Sequence, residues 1–378
     1  MKTVLEYGIL ACDAIMQTYK PEDLPPKNVL FYHQGVFLAG MERIYSYTKD
    51  EKYFNYIKSY IDNLIDSDGN IIGFNAEDFT DDMPMLAKQS LQLLDHKMPS
   101  VLLYNLFERT GDERYKKAIS TIAESMHFWP VNEYGGYWHM MMQHNQMWLD
   151  SAYMVGPFSV MYAEKFGDDV LRGRAIKQIF IMDEHMKSPQ SGLYYHGWDP
   201  TKEAEWADKE TGCSQNVWGR ALGWYAVAIL EMLDHIPENH SSVDRLKRIE
   251  KELLVRLADF QDEETGMWYQ VTDMPDKKGN WVESSSTCLF IYSYAKAIRK
   301  GILDKKYEKI MIKAYDGITK TILYENGKLA LDRVCIGTCI ESGDYEHYIS
   351  RQCIKNDLHG MGAFLLMCAE IYEHNNRS

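Results

Sequence analysis

A unit of 55 to 74 residues recurs along the chain, and it constrains the fold more than any other feature of the sequence. Each copy combines a helix of small and apolar residues, a polar turn, an amphipathic helix and a glycine-led aromatic stretch. The copies begin near six positions: His33, Asp95, Asp150, Arg220, Ser285 and His359. One such unit cannot bury its apolar face alone, so neighbouring units must pack against one another.

Two short patterns mark the parts of the unit. An aspartate in the polar turn predicts the N-cap of the second helix, at Asp50, Asp112, Asp168 and Asp304. A glycine followed by aromatic or β-branched residues predicts a turn that leads into an extended segment. These segments lie at 66–74, 133–140, 191–199, 265–273 and 325–333. Together the two patterns indicate helical hairpins joined by short extended connections.

The repeat predicts an all-α fold, and two arrangements satisfy its packing requirement. One is an open solenoid, and the other is a closed (α/α)₆ toroid, or barrel, of six helical hairpins. We favour the toroid because neither end of the sequence has the polar face of a capping repeat. The first helices are apolar nearly all round and should form an inner ring, with the amphipathic second helices outside them. No linker-like stretch interrupts the pattern, so we expect a single domain over residues 1–378.

Charge and hydropathy exclude several classes of function. The net charge of −14 argues against a nucleic-acid-binding surface and against docking on an anionic membrane. No apolar run approaches the ~18 residues that span a bilayer. The N-terminal apolar stretch contains Glu6 and Asp13, unlike a secretory signal, and the seven cysteines are scattered without a CxxC motif. We expect a cytoplasmic protein with reduced thiols that is a monomer or a weak homo-oligomer.

Motifs for metals, nucleotides and serine nucleophiles are absent from the sequence. It contains no HExxH, no P-loop, no GxGxxG and no GxSxG. We therefore expect neither a metal site nor a cofactor.

In a toroid all inner helices run in the same direction, so their N-termini share one end of the barrel, which we call the mouth. Helix N-termini present free N–H groups to anions, and Trp and Tyr rings stack on sugars. A pocket for a carbohydrate or an acidic substrate is the natural use of such a mouth. The residues gathered there are Tyr32, His33, Asp95, His139, Trp148, Asp150, His196, Trp198, Trp218, Arg220, Trp224 and His359.

Two aspartates at the mouth have two interpretations each. Asp150 and Asp95 stand at successive inner-helix starts, where an aspartate often serves only as an N-cap. Alternatively, Asp150 beside Trp148 is a general acid, because an aromatic wall desolvates a carboxyl group and raises its pKa. Two carboxylates in neighbouring slots also push their pKa values apart.

The basic residues at the mouth are equally open to two interpretations. His196 is either a hydrogen-bonded core residue or part of the site. Arg220 either pairs with a buried acid or binds a substrate carboxylate with its planar guanidinium group. The sequence pattern does not choose between these alternatives.

Several motifs together resemble glycoside hydrolase family 105, the unsaturated rhamnogalacturonyl hydrolases. They include YHQGVF at 32–37, QMWLDSAYMVGPF at 146–158, ETGCSQNVWGRALGWY at 210–225 and NDLHGMGAF at 356–364. The resemblance extends over nearly the whole chain and implies an (α/α)₆ barrel. Its substrate would be a pectin-derived oligosaccharide whose terminal uronate carries a C4=C5 double bond.

The resemblance also implies a mechanism and a set of site residues. In that family an acid protonates C4 of the enol ether, water adds at C5, and the resulting hemiketal opens to release the next sugar. The catalytic acid and base falls on Asp150, and the assisting carboxylate falls on Asp95. The positions that match substrate contacts are Tyr32, His139, His196, Trp218, Arg220 and Trp224.

Two other classes of protein remain open. The first is a different toroid enzyme, such as an unsaturated glucuronyl hydrolase, a family 8-like endo-glycosidase or a sugar epimerase. The second is a non-enzymatic helical-repeat protein that binds glycans. The binding protein would explain the repeat, but not the ionisable and aromatic residues at one set of helix starts.

Overall fold

The computed structural model describes residues 2–77 and 93–377, within which thirteen α-helices occur. In chain order they are α1 Val4–Met16, α2 Tyr32–Thr48, α3 Glu51–Asp62, α4 Leu102–Thr110, α5 Glu113–His127, α6 Ser151–Phe166, α7 Asp169–His185, α8 Gly219–Met232, α9 Val243–Leu257, α10 Ser284–Arg299, α11 Glu308–Thr319, α12 Tyr345–Ile349 and α13 Leu358–Arg377. The strands have two to four residues: β1 Lys27–Val29, β2 Phe74–Glu77, β3 Met147–Trp148, β4 Gly197–Trp198, β5 Ile322–Glu325, β6 Lys328–Leu331, β7 Val334–Cys335 and β8 Cys353–Ile354.

The helices form two concentric rings. The inner ring contains α2, α4 with the 3₁₀ turn Met98–Val101 before it, α6, α8, α10 and α13, each packed against the next. The ring closes because α13 packs extensively against α2. The predicted (α/α)₆ toroid is therefore confirmed, and the open solenoid is excluded.

The sixth hairpin is completed from the other end of the sequence. No long helix follows α13 in the described residues, and α1 packs against α13 in the outer position. The outer ring is thus α1, α3, α5, α7, α9 and α11. The repeat read along the chain placed both helices of the sixth unit after His359, which is wrong for the second of them.

Burial separates the two rings as their sequences predict. Every residue of α8 is buried, and α10 is buried from Ser284 to Ala297. The outer helix α9 exposes one face and buries the other, with Leu246, Ile249 and Leu253 turned inward. A helix that is apolar all round is stable only when it is covered on every side.

The turn patterns have the predicted local structure. Asp50, Asp112 and Asp168 each accept a hydrogen bond from a backbone N–H in the first turn of α3, α5 and α7. Asp304 caps the 3₁₀ turn Lys305–Tyr307 that leads into α11. The glycines of the repeated segments adopt positive φ angles of 72° to 86°, which a residue with a side chain rarely adopts: Gly69, Gly135, Gly192, Gly266 and Gly327.

Short extended segments link neighbouring hairpins at the mouth. Strand β3 pairs with β4, β7 pairs with β8, and single bridges join Leu93 to Met140 and Trp218 to Val271. These links hold the entries of the inner helices in register. Among the described residues, no helix is long and apolar enough to cross a membrane.

Candidate active site

Asp150 and His196 are brought together by the pairing of β3 with β4. The N–H of Leu149 donates to the carbonyl of His196 at 2.8 Å, and Asp150 follows directly before α6. Nε2 of His196 lies 4.0 Å from Oδ1 of Asp150. Asp150 stands at the N-cap position, but its carboxyl group makes no capping hydrogen bond. The interpretation of Asp150 as a simple helix cap is therefore wrong.

Asp95 reaches the same space from the neighbouring hairpin. It lies on the 3₁₀ turn Leu94–His96, and the N–H of Leu94 donates to the carbonyl of His139 at 3.1 Å. This contact places Oδ2 of Asp95 3.6 Å from Nε2 of His139. Asp95 is inside its turn and does not cap it, so the cap interpretation fails here too.

Trp148 packs against the two histidines that lie beside the aspartates. The His139 ring stacks on it at a centroid distance of 4.3 Å and an angle of 12°. The His196 ring meets the same indole edge to face at 5.7 Å. Trp148 itself is 2% exposed, so both histidine rings pack on an indole that is buried.

Burial and nearby charges set the protonation of these groups. Asp150 is 8% exposed, and its burial raises its pKa to about 6. The charge of His139 works against this rise in pKa, and the charge of Asp95 adds to it. Burial alone would lower the pKa of His139, but Asp95 reverses that and leaves the pKa raised. Burial holds the pKa of His196 well below its ordinary value, so this imidazole is neutral.

The site contains several buried polar atoms without a hydrogen-bond partner in the described part of the chain. They are Oδ1 of Asp150, Oδ1 of Asp95, Nδ1 of His139, Nε2 of His196 and the indole nitrogens of Trp148 and Trp218. Buried polar atoms are nearly always satisfied in folded proteins. Such a concentration of them at one place is typical of a site that completes its hydrogen bonds with a polar ligand.

Arg220 is 1% exposed, and within residues 2–77 and 93–377 it forms no ion pair with an acid. Its Nη1 donates to the carbonyl of Cys335 at 2.5 Å, and its Nη2 donates to that of Ile336 at 2.8 Å. The guanidinium group lies 4.7 Å from the ring centre of Trp218, whose ring is also 4.7 Å from His196. Arg220 thus anchors the segment after β7 beside the site, a contact that its sequence context did not indicate.

Two further predicted residues take different places. Trp224 lies on α8 one helical turn after Arg220 and is 1% exposed. Its ring stacks on that of Tyr153 at a centroid distance of 4.4 Å. The Tyr32 hydroxyl is 2.5 Å from Nε2 of His359, whose other nitrogen contacts Asp357. Burial lowers the pKa of His359 to about 4, so it is neutral near pH 7.

Tyr348 contacts His196 directly and was not predicted from the sequence. Its hydroxyl lies 2.8 Å from Nδ1 of His196, and it belongs to the five-residue helix α12. Asp344, which caps α12, was the available signal. No periodic pattern marks so short a helix.

Metal-site geometry is not found in residues 2–77 or 93–377. No group of three or more His, Cys, Asp or Glu side chains there is arranged to hold a metal ion.

The fold is a closed toroid of helical hairpins whose mouth gathers buried carboxyl, imidazole and indole groups. The chain belongs to the family described as Glycosyl Hydrolase Family 88, whose model matches residues 10–375. A solved structure of a family 105 glycoside hydrolase from C. acetobutylicum ATCC 824 superposes with a TM-score of 0.88 at 30% identity. The match covers 97% of this chain and 99% of the other. The resemblance to family 105 is thereby confirmed.

Other relatives are more distant. The unsaturated rhamnogalacturonyl hydrolase YesR of Bacillus subtilis (strain 168) is 26% identical over 81% of this chain and 79% of its own length. The unsaturated glucuronyl hydrolase of Bacillus sp. GL1 shares the fold, with a TM-score of 0.67 at 14% identity over 97% of this chain and 94% of that one.

Proposed function

We propose that this protein removes a terminal Δ4,5-unsaturated uronate from oligosaccharides derived from rhamnogalacturonan. The observation that carries the proposal is the buried carboxyl group of Asp150, whose burial raises its pKa to about 6, so that a fraction of it stays protonated near neutral pH. The similarity to YesR supports the choice of rhamnogalacturonan fragments as the substrate class.

The first step uses the enol ether of the unsaturated uronate. Asp150 donates its proton to C4, and the C4=C5 electrons form the new C–H bond. The positive charge is left on C5 and is shared with the ring oxygen. Trp148 and the buried surroundings of Asp150 exclude bulk water from the carboxyl group that supplies this proton.

The second step returns the proton to the enzyme. A water molecule attacks C5 with its oxygen, and the carboxylate of Asp150 accepts a proton from this water. The product is a hemiketal at C5. The hemiketal opens, the bond to the next sugar breaks, and Asp150 is again protonated. No net proton is taken from solvent by the protein in one turnover.

Asp95 and His139 support this cycle from the adjacent hairpin. The charge of Asp95 favours the protonated form of Asp150, and the charge of His139 favours the ionised form. The pair therefore holds the pKa of Asp150 between the values needed for an acid and for a base.

The remaining predicted residues are proposed to hold the uronate ring. Trp218 offers an aromatic face beside His196, and Arg220 next to it supplies positive charge for the carboxylate. The Tyr32 ring packs beside His359 at a centroid distance of 4.8 Å, and its substrate contact is part of the proposal. Trp224 is proposed to support Arg220 from the next turn of α8, where its ring stacks on Tyr153.

Turnover in D₂O tests the proposal. An unsaturated rhamnogalacturonan disaccharide should lose the absorbance of its double bond, and the uronate product should carry deuterium at C4. A product without deuterium at C4 contradicts C4 protonation and indicates ordinary glycoside hydrolysis. Equal binding of saturated and unsaturated uronides without turnover indicates a glycan-binding protein.

A substrate panel tests the choice of neighbouring sugar. Disaccharides that carry the same unsaturated uronate on rhamnose, glucose or an amino sugar should be compared by kcat/KM. The rhamnose compound is expected to be the best substrate. Preference for an amino sugar would favour an unsaturated glucuronyl hydrolase that acts on other lyase products.

A further inference from the structure

The hydrogen bond between Tyr348 and His196 is buried from end to end. The hydroxyl of Tyr348 lies 2.8 Å from Nδ1 of His196, and both residues are fully covered. In the described part of the chain this nitrogen is the hydroxyl's one hydrogen-bond partner. Nε2 of Gln270 donates to the backbone carbonyl of Tyr348 at 3.2 Å and so holds this residue in place.

The direction of this bond follows from the needs of a buried phenol. Burial raises the pKa of Tyr348 well above its ordinary value, so the hydroxyl keeps its hydrogen. A buried O–H that donates to nothing is costly, and Nδ1 of His196 is the acceptor within reach. A neutral imidazole carries one N–H, so a lone pair at Nδ1 requires the hydrogen to be on Nε2.

We propose that Tyr348 is a positioning residue that selects the Nε2–H form of His196 and so directs an N–H donor toward Asp150. This inference rests on the proposed function only for its catalytic consequence. The tautomer itself is a property of the free protein.

The selected tautomer suits the hydration step. Nε2 of His196 and Oδ1 of Asp150 are 4.0 Å apart, and each is buried without a partner in the described residues. One water oxygen bridges such a gap with two hydrogen bonds. It accepts from Nε2–H and donates to the Asp150 carboxylate, which is the orientation that a water needs before it attacks C5. The opposite tautomer would place a second acceptor there and compete for the same proton.

The tautomer is measurable without any substrate. Histidine labelled with ¹⁵N shows whether each ring nitrogen carries hydrogen, and a His196→Gln variant assigns the signals. The wild-type protein should show a protonated Nε2 and an unprotonated Nδ1 at His196. Tyr348→Phe should shift the population toward Nδ1–H. A wild-type Nδ1–H form, or an unchanged tautomer in Tyr348→Phe, overturns the inference. The wild-type measurement decides the question even if the variant does not fold.

Kinetics test the catalytic consequence. Tyr348→Phe should lower kcat about tenfold, the effect of one hydrogen bond, with little change in KM. Tyr345→Phe is the matched control, because this hydroxyl of the same helix contacts the carbonyls of Lys277 and Lys278. In a His196→Gln background the Tyr348→Phe change should have no further effect, and a full additional loss contradicts action through His196. The two claims can fail separately. If the wild-type protein shows the Nε2–H form but does not process unsaturated uronides, the proposed function is wrong and the tautomer assignment is still correct.

Discussion

The carboxylate of Asp95 and the imidazole of His139 form a buried pair, with Oδ2 and Nε2 separated by 3.6 Å. The two residues come from neighbouring hairpins, and their charges act in opposite directions on the pKa of Asp150. The pKa of Asp150, the group that we propose as the acid, is therefore adjusted by two opposing charges at the mouth of the barrel.

The pH dependence of the wild-type enzyme should follow the protonation of Asp150. An acid must be protonated to act, and burial raises the pKa of Asp150 to about 6. The value of kcat/KM should therefore fall as pH rises through that pKa. A profile that stays flat from pH 5 to pH 8 contradicts the assignment. Rates measured by loss of the double-bond absorbance across buffers of equal ionic strength give the profile.

Replacing His139 should move this fall in activity to higher pH. The charge of His139 lowers the pKa of Asp150, so a His139→Gln variant should have an Asp150 with a higher pKa. The control is His235→Gln, because His235 pairs with Glu164 away from the mouth. A shift to lower pH in His139→Gln, or an equal shift in the control, contradicts the claim that the charge of His139 lowers the pKa of Asp150.

Asp150→Asn should abolish most of the turnover without unfolding the protein. Asparagine keeps the shape of the side chain but has no proton to donate. We expect a loss of at least about 100-fold in kcat, the low end for general acid catalysis, with substrate binding retained. Asp304→Asn is the control, because Asp304 caps a turn outside the site and asparagine caps equally well. Wild-type turnover in Asp150→Asn would show that Asp150 is not the acid.

Arg220→Lys separates two roles of one side chain. A lysine lacks the planar fork with which Nη1 and Nη2 of Arg220 reach the carbonyls of Cys335 and Ile336, so stability should fall by about 1.5–3 kcal/mol. If Arg220 also binds the uronate, kcat/KM should fall more for the free acid than for its methyl ester. Thermal unfolding and both substrates together give the answer. Equal kinetic losses on the two substrates mean that Arg220 only holds the segment after β7.

Glu250 should destabilise the barrel at neutral pH. It is fully buried on α9, both of its carboxyl oxygens are without partners in the described residues, and burial raises its pKa well above the ordinary value. A carboxyl group that is protonated when folded and ionised when unfolded makes stability fall as pH rises above the unfolded pKa. Glu250→Met should therefore stabilise the protein by about 1–3 kcal/mol at pH 7, with a smaller gain at pH 4.

Chemical denaturation at the two pH values measures this effect. The control is Glu252→Gln. Glu252 lies on the same helix as Glu250, but it is half exposed and pairs with Lys187 at the surface. Its effect should stay below about 1 kcal/mol. Destabilisation by Glu250→Met would show that Glu250 has a partner in solution.

The sequence predicted the elements whose causes are local. Hairpin turns, N-caps at Asp50, Asp112 and Asp168, and the mouth residues on inner-helix starts all follow from short patterns and from one helix direction. The partnership of α1 with α13 did not follow, because nothing in a repeat tells which helix fills the last outer position.

The details missed at the site depend on contacts between distant parts of the chain. Tyr348 reaches His196 across 152 positions, and Arg220 reaches the carbonyl of Cys335 across 115. Neither partner has a sequence pattern that would identify the other. An arginine beside a tryptophan indicates charge recognition in general, and only the fold shows that its hydrogen bonds go to backbone carbonyls.

The packing of α1 on α13 has a consequence for how the barrel assembles. These helices are separated by nearly the whole sequence, so the contact that completes the sixth hairpin has one of the largest loop-closure costs in the molecule. During synthesis the face of α1 that packs on α13 cannot be covered by it until α13 has been made. A circular permutant that moves α1 to follow α13 would make all six hairpins contiguous, and it should refold faster than the natural order.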